Sequence, residues 1–588
     1  MTKTTDYINY ENVSSLAGLF AERIKRTPNN IAYQQYCNAV NLWHSYTWQQ
    51  MGSMIALMQA ALENEQLTKG DRIAIMLPNC VEWVQFDQAA LGLGLVVVPL
   101  YMNDHPDNVD YILENACAQI LIVDTFGQWQ AIKDAGAPEC LKKVIVRSSI
   151  DVDSHDLIAT PLEQFLAGQS AGELKNQAAK TDLASIVYTS GTTGKPKGVM
   201  LSHNNILWNA YSGLQSIKVY TSDHMLSFLP LSHTLERSIG YYLTVMSGSS
   251  TSFSRSVPQL AEDLITQKPT ILISVPRIFE RVYAKIQHGL AAKSPVAQRL
   301  FQFAVSTGWN RYQHQQGKQS WQPSFLLWPI LNTLVAKKVM AKLGGNMRFA
   351  IAGGAPMSPV VAKTFIGLGL PILQGYGLTE TSPVISVNPL EDNDINSVGT
   401  PLQDVELKIG EQDELLTKSP GVMQGYWKNP TATAEIIDTD GWLHTGDKVS
   451  IVNNHIVITG RLKEIIVLSN GEKLPPSDME QAICLAPKIE QALIIGDNRP
   501  YLSALVVLAK EEWPGLEEAN SKAIQKEVIQ IIRKQLAQFP GYAKVHTVYC
   551  TLHAWTVENE YLTPTLKLKR SKIIANHSTE IDTLYEGH

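Results

Sequence analysis

The sequence predicts an α/β protein with a large N-terminal domain of stacked, helix-covered sheets that includes a β-rich subdomain, and a small α+β C-terminal domain. Three observations support this fold class. Through the first 460 residues, short apolar runs alternate with helix-like stretches, as in parallel sheets covered by helices. After about residue 400, runs that alternate polar and apolar residues indicate half-exposed strands. A compact set of strands and helices follows Gly460.

The N-terminal part contains six short apolar runs that we predict to be strands. They are Arg72–Leu77, Ile120–Asp124, Lys143–Arg147, Ser185–Tyr188, Thr270–Ser274 and Met347–Ile351. The segment Cys80–Leu93, after the first run, has a helix-like pattern. Ligands of such folds bind beyond the carboxyl ends of the strands, so we expect functional residues in the loops that follow these runs.

Two regions after residue 400 contain further strands. Val405–Ile409 alternates polar and apolar residues and is expected to pair with Glu414–Lys418. The compact C-terminal unit has predicted strands at Ile465–Leu468, Gln491–Ile495 and Leu502–Leu508, and predicted helices from Ser477 and over Ile524–Leu536. We place the domain boundary at Gly460-Arg461, which divides the chain into residues 1–460 and 461–588.

Composition excludes several classes of protein. The 588 residues are 45% hydrophobic and 18% charged, so the chain is not intrinsically disordered. A net charge of -6 argues against a dedicated nucleic-acid-binding protein. The six cysteines include no C-x-x-C pair, which argues against structural zinc. The N-terminus lacks the pattern of a signal peptide, and the apolar stretch 89–102 is shorter than the roughly 20 residues of a membrane span, so we expect a cytoplasmic protein.

The strongest local motif is the segment from Tyr188 to Val199. From Thr189 onward it contains three glycines, four hydroxyl residues and two lysines, a combination suited to cradling a polyphosphate. It is not a Walker A loop, because Thr189 stands where that motif needs glycine and Pro196 where it needs serine or threonine. An ordinary glycine-rich turn is the alternative interpretation.

A second motif, Ile372–Pro383, places an aromatic ring, a hydroxyl and a carboxylate on one loop. Tyr376 offers a face on which a purine can stack. Thr379 and Glu380 offer the hard oxygen atoms that Mg²⁺ on a triphosphate prefers. A turn with a solvated glutamate would have the same local sequence.

Three weaker motifs follow. Gly441–Asp447 ends in a carboxylate that could accept hydrogen bonds from two ribose hydroxyls. Gly460–Glu464 lies at the proposed domain boundary, where charged residues are usually solvated. Thr563–Arg570 alone has the composition of a basic tail.

In this order, the five segments resemble the adenylate-forming superfamily of acyl- and aryl-CoA synthetases, adenylation domains and luciferases, over roughly residues 15 to 575. The sequence is most similar to long-chain fatty acyl-CoA synthetases, AMP-forming ligases of fatty acid and lipid metabolism. The supporting segments are Leu229–Arg237, Ser274–Arg281, Ile465–Glu472 and Leu562–Arg570.

The resemblance implies ATP-dependent activation of a fatty acid of medium to long chain. The carboxylate attacks the α-phosphate of ATP to give an acyl-adenylate and pyrophosphate, and the thiol of coenzyme A then displaces AMP. ATP, Mg²⁺ and coenzyme A are the implied cofactors and co-substrate. The implied phosphate-binding residues are Thr189, Ser190, Gly191, Thr192, Thr193, Gly194 and Lys197, and Thr189 and Glu380 lie near Mg²⁺. The implied adenine-binding residues are Gly354, Ala355, Pro356, Gln374, Gly375, Tyr376 and Gly377, and Asp447 and Arg461 hold the ribose.

The resemblance also implies catalytic roles for Lys567, Glu380, Thr379 and His233. Lys567 matches the lysine of the adenylation step, whose charge can stabilise the transition state more than the ground state. His233 matches a position near the substrate carboxylate, although a core histidine is the alternative. Lys463 matches the hinge about which the mobile C-terminal domain rotates between the two steps. Relatives often have a second lysine where this chain has Val467, a departure that favours the long-chain subgroup.

Other functions share these motifs. A fatty acyl-AMP ligase would pass the acyl group to a carrier protein, and a luciferase-like enzyme would consume oxygen. A non-catalytic nucleotide-binding module is disfavoured by the presence of both Glu380 and Lys567. The acyl-binding pocket has no short motif, so the preferred acid and the oligomeric state, for which a homodimer is one option, stay open.

The charge is unevenly distributed along the chain. Between Arg277 and Arg348 there are eleven Lys and Arg and one acid, Glu280, which leaves 38 basic and 54 acidic residues elsewhere. One interpretation is a solvated helical face. The other is a surface that attracts coenzyme A phosphates or anionic lipid, with peripheral association on the inner membrane face.

Overall fold

The computed structural model describes residues 3–136, 138–148, 155–189, 195–469, 471–537, 539–540 and 543–586, which fold around two large sheets. The nine-stranded sheet has the order β16 (Thr400–Pro401), β15 (Val384–Val387), β14 (Ile372–Gly377), β13 (Phe349–Ala352), β12 (Ile271–Ser274), β10 (His224–Ser227), β11 (Ser250–Phe253), β1 (Ile31–Cys37) and β2 (Leu42–Thr47). Its six strands from β14 to β1 are parallel.

The eight-stranded sheet lies in the same N-terminal part of the chain. Its order is β19 (Gly425–Tyr426), β9 (Lys197–Ser202), β8 (Leu183–Thr189), β4 (Val96–Pro99), β3 (Arg72–Met76), β5 (Ala118–Val123), β6 (Lys143–Val146) and β7 (Ala159–Pro161). The strands from β8 to β7 are parallel, and β9 and β19 run antiparallel at one edge.

Three smaller sheets complete the strand architecture. An antiparallel sheet contains β17 (Glu406–Ile409), β18 (Glu414–Lys418), β20 (Leu443–Val452) and β21 (His455–Arg461). The last two sheets contain β22 (Ile466–Val467) with β23 (Lys473–Leu474), and β24 (Ile489–Ile495) with β25 (Leu502–Leu508) and β26 (Val545–Thr551).

Helices cover the sheets. The α-helices are α1 (Leu16–Arg26), α2 (Trp48–Glu63), α3 (Val81–Gly92), α4 (Pro106–Ala116), α5 (Phe126–Ala135), α6 (Leu162–Leu166), α7 (His203–Ser216), α8 (Leu243–Ser247), α9 (Leu260–Gln267), α10 (Pro276–Ala291), α11 (Pro295–Gln315), α12 (Trp328–Leu331), α13 (Lys337–Ala341), α14 (Pro359–Gly367), α15 (Pro430–Ile436), α16 (Pro476–Cys484), α17 (Lys522–Gln535), α18 (Arg570–Asn576) and α19 (Ser578–Thr583). Two π-helices, Glu236–Tyr242 and Asn332–Ala336, continue into α8 and α13. The 3₁₀ turns are Tyr10–Asn12, Pro323–Leu327, Thr379–Thr381, Glu411–Asp413 and Lys510–Glu512.

Local sequence explains where several helices begin. Helix α7 starts at a reciprocal cap, in which the Ser202 hydroxyl accepts a hydrogen bond from the Asn205 N–H and the Asn205 side chain accepts one from the Ser202 N–H. Proline stands at the first helical position of α10 and α11, where no N–H is needed.

One apolar core joins the two large sheets. It contains side chains from both sheets and from α1, α2, α3, α7 and α8, which separates it from a second core between the eight-stranded sheet and α4 and α5. Residues after position 465 form two further cores that contain only C-terminal side chains.

A buried ion pair lies within the N-terminal core. Nη2 of Arg237, on the π-helix, is 2.6 Å from Oδ1 of Asp87, on α3, and both residues are buried. Nη1 of Arg237 donates to the Ser185 hydroxyl on β8 at 2.6 Å. The Tyr242 and Tyr241 hydroxyls donate to Oδ2 of Asp87 at 2.8 and 3.1 Å. The pair therefore connects a strand of one large sheet, its covering helix and the π-helix.

The structure confirms the predicted fold class, and every predicted strand is present with shifts of one or two residues at its ends. The predicted pairing of Val405–Ile409 with Glu414–Lys418 is confirmed as antiparallel β17 and β18. The proposed boundary at Gly460-Arg461 falls inside β21, one residue before that strand ends, and it stays a prediction. Over the described ranges, no helix combines the length and apolarity needed to cross a bilayer.

Replacing Arg237 with Met should destabilise the fold by about 3–5 kcal/mol, because Asp87 would be left buried and uncompensated. Urea unfolding followed by tryptophan fluorescence measures the change. The matched control is Lys175→Met, which breaks the exposed Lys175–Glu63 pair and should cost at most about 1 kcal/mol. Equal losses in the two variants would contradict a special role for the buried pair.

Candidate active site

A single cleft of about 1930 Å³ lies between the N-terminal sheets and the C-terminal part of the chain. It opens at the carboxyl ends of β12, β13 and β14, where ligands of parallel sheets bind. All of the predicted site residues that the structure describes line it. They are Thr189, Lys197, His233, Gly354, Ala355, Pro356, Gln374, Gly375, Tyr376, Gly377, Thr379, Glu380, Asp447, Arg461, Lys463 and Lys567. Ser190, Gly191, Thr192, Thr193 and Gly194 lie outside the described residues.

One wall of the cleft consists of two segments that contain glycine. It is formed by the loop Gly353–Pro356 after β13 and by Gln374–Gly377 of β14. Gly354 has φ +82°, a left-handed conformation that favours glycine. The Gln374 side chain donates to the Ile395 carbonyl at 2.7 Å, which holds it in place.

The Asp447 carboxylate forms the centre of the polar network beside that wall. Its Oδ2 accepts a hydrogen bond from the Tyr376 hydroxyl at 2.6 Å, and its Oδ1 accepts one from Nε of Arg461 at 2.8 Å. Asp447 and Arg461 face each other across β20 and β21. Burial and the neighbouring Asp447 hold the pKa of Tyr376 well above its usual value, so its hydroxyl stays a donor.

The ends of β8 and β9 border the opposite end of the cleft. Thr189 and Lys197 are register partners on these strands, so they lie on either side of the loop between them. Nζ of Lys197 is 5.1 Å from the centre of the Tyr426 ring. The Tyr426 hydroxyl in turn donates to Oε1 of Glu380 at 2.8 Å, which holds this carboxylate at the cleft. A cation and a carboxylate thus flank the phosphate side of the cleft.

These residues fit a Mg²⁺ ion that is bound largely through phosphate. Mg²⁺ usually takes one or two protein carboxylates together with substrate phosphates and waters. Glu380 offers one such carboxylate and Thr189 a hydroxyl. Within the described ranges, no group of three or more His, Cys, Asp or Glu side chains could hold a metal by itself.

A tight turn presents Lys567 to the cleft. The Thr563 N–H donates to the Lys567 carbonyl at 2.8 Å, and Leu566 adopts a left-handed conformation with φ +61°. The Lys567 side chain is exposed within the cleft, and the walls of the cleft surround it. The surrounding protein lowers the pKa of Lys567 by desolvation, and the positive charge of Arg461 lowers it further. The carboxylates of residues 447, 464 and 380 oppose this shift.

Contacts between the two parts of the chain hold Lys567 in this position. The Gln481 side chain on α16 donates to the Glu280 carboxylate at 2.8 Å and to the Pro356 carbonyl at 2.6 Å. The Arg277 side chain on α10 donates to the Glu490 carbonyl at 3.0 Å. The described arrangement is therefore one in which the C-terminal part is docked with its lysine in the cleft.

His233 lies on the N-terminal side of the same space. Its Nδ1 accepts a hydrogen bond from the Leu235 N–H at 3.2 Å. Burial, together with the charge of Lys567, lowers the pKa of His233 to about 4. The imidazole is therefore neutral at physiological pH and can meet a substrate oxygen as a hydrogen-bond partner without a charge.

An apolar arm of the cleft extends from His233 into the nine-stranded sheet. Alternate residues of two adjacent parallel strands line it. Ile271 and Ile273 belong to β12 and Val275 follows that strand, and Phe349 and Ile351 belong to β13 and Gly353 follows that strand. Gly213, Ile217 and Val219 from α7 and the segment after it, with Met225, Ile239 and Leu243, complete the lining. Four residues of strand span about 13 Å, which accommodates at least roughly nine carbons of an extended chain.

Sequence analysis missed several residues that shape the site. Tyr426, which orients Glu380, lies on a two-residue strand with no motif. Glu236 and Arg237 lie in the segment Leu229–Arg237, to which the sequence assigns no site residue except His233. Both are buried on the π-helix that follows His233. The residues of the apolar arm follow ordinary core periodicity, so no sequence signal distinguishes them from packing residues.

Comparison with known proteins gives a consistent result. Residues 20–427 match the model of the AMP-binding enzyme family, and residues 463–588 match that of the AMP-binding enzyme C-terminal domain. The chain is 30% identical to the long-chain-fatty-acid–CoA ligase FadD15 of Mycobacterium bovis, over 97% of each chain. It is 29% identical to the long-chain-fatty-acid–[acyl-carrier-protein] ligase AEE15 of Arabidopsis thaliana, over 88% of this chain and 79% of that protein. Its fold matches the adenylation domain of a Mycobacterium chelonae carboxylate reductase with a TM-score of 0.78 at 20% identity, over 97% of this chain and 91% of that one.

Glu236 supplies a test of the packing behind the site. Burial raises the pKa of Glu236 to about 8, and Oε2 has no hydrogen-bond partner among the described residues. At pH values between 4.5, the ordinary pKa of a glutamate, and about 8, Glu236 is protonated in the folded chain and ionised in the unfolded chain. The free energy of unfolding therefore falls as the pH rises through this range. Glu236→Gln should remove this dependence, up to about 1.4 kcal/mol per pH unit in urea unfolding.

The comparison has an internal control. Below that window both chains carry a neutral side chain at position 236, so their stabilities should agree. Parallel curves from acid to alkaline pH would contradict a neutral Glu236.

Proposed function

Because the chain belongs to the AMP-binding enzyme family, we propose that it activates a fatty acid with ATP and transfers the acyl group to coenzyme A. It is an AMP-forming acid–thiol ligase. The observation that carries the proposal is the junction of two differently built halves of one cleft at His233 and Lys567. One half has the polar groups for a nucleotide. The other half is lined by apolar side chains over a strand length of about 13 Å.

In the first step, the carboxylate oxygen attacks the α-phosphorus of ATP and pyrophosphate leaves. We propose that Asp447 and Arg461 hold the ribose, that the Gly353–Pro356 loop and β14 hold the adenine, and that Thr189 and Lys197 hold the phosphates. The Lys567 ammonium lies between the nucleotide half and His233, where negative charge accumulates on the phosphorus oxygens. A cation fixed there stabilises the transition state more than the separated substrates.

Mg²⁺, held by Glu380 and Thr189 together with the phosphates, would neutralise charge on the leaving pyrophosphate. The chain's own contribution is orientation. Tyr426 holds one oxygen of Glu380 and so fixes the position of the carboxylate.

The apolar arm supports a substrate of medium to long chain. A fatty acid with its carboxylate at His233 would extend along β12 and β13, where every lining group is apolar or backbone. Each buried methylene contributes about 0.8 kcal/mol to binding, so a longer chain binds more tightly until the arm is full.

For the second step we propose that the C-terminal part rotates about Lys463, which leaves Arg461 in β21 and withdraws Lys567. Lys463 is exposed, lines the cleft and lies two residues beyond β21. Rotation would have to break the hydrogen bonds of Gln481 and Arg277 and the packing of Leu485 against an N-terminal core. The coenzyme A thiol then attacks the acyl carbon and AMP leaves.

Carrier-protein transfer is the second candidate for this step. It is favoured by the similarity to the Arabidopsis acyl-carrier-protein ligase, whereas the relative with higher identity and coverage is a CoA ligase. The cleft as described is compatible with either acceptor, because the adenylation step comes before the thiol binds and is the same for both.

We also propose that the enzyme meets its substrate at a membrane surface in the cytoplasm. Long-chain acids partition into bilayers, and the basic segment between Arg277 and Arg348 supports attraction to anionic lipid.

Replacing Lys567 with Ala should reduce ATP–pyrophosphate exchange by about 10²- to 10³-fold, equivalent to about 2.7–4 kcal/mol of lost transition-state stabilisation. Exchange is measured with acids from acetate to arachidate, and thioester yield with coenzyme A separately. Thioester formation from synthetic acyl-adenylate should persist, because that step no longer needs the cation. Lys526→Ala, at an exposed position on α17, is the control.

The possible results separate the hypotheses. If no acid supports exchange in the wild type, the proposed function is wrong. Exchange without acyl-CoA formation would select the carrier-protein alternative. Full exchange by Lys567→Ala would refute the role of that lysine.

Replacing Gly213 with Leu should shorten the preferred substrate. A Cβ at this position would lie 3.3 Å from Cδ1 of Leu243 and 3.7 Å from Cδ1 of Ile239, so a leucine side chain would enter the arm. We expect kcat/KM for palmitate to fall at least tenfold relative to octanoate, because two methylenes contribute about 1.6 kcal/mol and about 1.4 kcal/mol is a factor of ten. Gly289→Leu, with open space around its Cα, is the matched control. An unchanged ratio of the two acids would exclude the arm as the acyl site.

A further inference from the structure

Exposed apolar side chains are concentrated in one helical hairpin of the N-terminal part. Among the described residues, twenty large apolar side chains are exposed, and eight of them lie between positions 296 and 334. The hairpin consists of α11 and the returning helical run 323–341, which is formed by a 3₁₀ turn, α12, a π-helix and α13. A patch of this kind on a protein surface usually marks an interaction site.

The returning run has one face packed against the protein and one face free. Leu331 and Ala336 are buried, and Ala336 packs with Phe301 and Val305 of α11. On the free side, Leu326, Leu327, Ile330 and Leu334 follow each other at spacings of one, three and four residues, and Leu326 is 72% exposed. The helix therefore needs only its inner face to stay folded against α11.

Basic side chains continue from the same run. Lys337, Lys338 and Lys342 follow the exposed leucines and isoleucine within two turns, and all three are exposed. Only three of the eleven Lys and Arg between positions 277 and 348 form ion pairs within the described residues, and these three are Arg277, Lys318 and Arg348. The other eight leave an uncompensated positive field beside the apolar face.

An aromatic residue stands at the start of the free face. Trp321 is 53% exposed and packs edge-on against Phe325, with the ring centres 6.2 Å apart. Tryptophan is enriched at the boundary between headgroups and acyl chains, because its ring is apolar and its N–H is polar. An apolar face with a tryptophan and flanking lysines is the pattern of a helix that lies in a membrane interface.

We infer that the docking face, defined as Trp321, Leu326, Leu327, Ile330 and Leu334 with Lys337, Lys338 and Lys342, inserts into the headgroup region of an anionic bilayer. The lysines attract the anionic surface and the apolar side chains enter its acyl boundary. The inference names the partner surface for the proposed function and rests on it, since a ligase for bilayer-dissolved acids benefits from binding where its substrate is concentrated.

Cosedimentation of the full chain with vesicles tests the inference. Wild-type protein should bind vesicles of phosphatidylcholine mixed with phosphatidylglycerol, more weakly as salt rises, and bind vesicles of phosphatidylcholine alone at least tenfold less. The double variant Leu326→Ser, Ile330→Ser and the triple variant Lys337→Glu, Lys338→Glu, Lys342→Glu should each lose at least tenfold in binding to the mixed vesicles. The matched control is Val40→Ser, Leu42→Ser, which removes two exposed apolar side chains from the β1–β2 hairpin and should bind as wild type does.

Activity with a water-soluble acid separates this inference from the proposed function. All variants should retain ATP–pyrophosphate exchange with octanoate, since none of the substituted residues lines the cleft. Absence of exchange would refute the proposed function and leave the vesicle result to stand by itself.

Wild type that fails to bind mixed vesicles, or double-variant protein that binds them equally well, would overturn the docking face. A dimer in solution that the double variant abolishes, without vesicle binding by wild type, would assign the face to a second copy of the chain and also overturn it.

Discussion

The buried ion pair between Asp87 and Arg237 is the constraint on which the site depends. Arg237 is the meeting point of a helix on the eight-stranded sheet, the strand β8 and the π-helix beside the nine-stranded sheet. A charge placed so deep must be compensated, so the three elements have essentially one mutual arrangement. Strand β8 ends at Thr189, and the π-helix begins three residues after His233. The same pair thus positions the phosphate end and the acyl end of the cleft relative to each other.

The cleft changes character abruptly along its length. Toward the nucleotide half, side chains donate and accept hydrogen bonds in fixed directions, with Asp447 held by Tyr376 and Arg461, and Glu380 held by Tyr426. Toward the arm, the lining is apolar, and Glu236, on the neighbouring π-helix, is buried with a raised pKa. The residues named as the lining of the arm include no charged side chain, which favours reaction at the junction of the halves.

The C-terminal part brings Lys567 to this junction and is attached through hydrogen bonds of Gln481 and Arg277 and the packing of Leu485 against an N-terminal core. Its cores contain only its own side chains, so it does not need the N-terminal sheets for packing. The hydrogen bonds of Gln481 and Arg277 fix the docked position, but together they contribute little free energy, since each is worth about 1 kcal/mol net. An independently packed unit with a light attachment can change its position at low cost, which is what two successive reactions in one cleft require.

The sequence by itself determined the α/β class, the order of the elements and the identity of the described polar candidates on the cleft. These are local properties: alternating apolar runs specify strands and helices, and a loop rich in glycine, hydroxyl and lysine has the same composition whatever surrounds it. Only the tertiary structure decided which ordinary apolar residues line the arm, because Ile271, Phe349 and Gly213 obey the same periodicity as residues of a solid core. It also decided that Tyr426 orients Glu380 and that Arg237 meets Asp87, because partners separated by 46 and 150 positions become neighbours only when the sheets assemble.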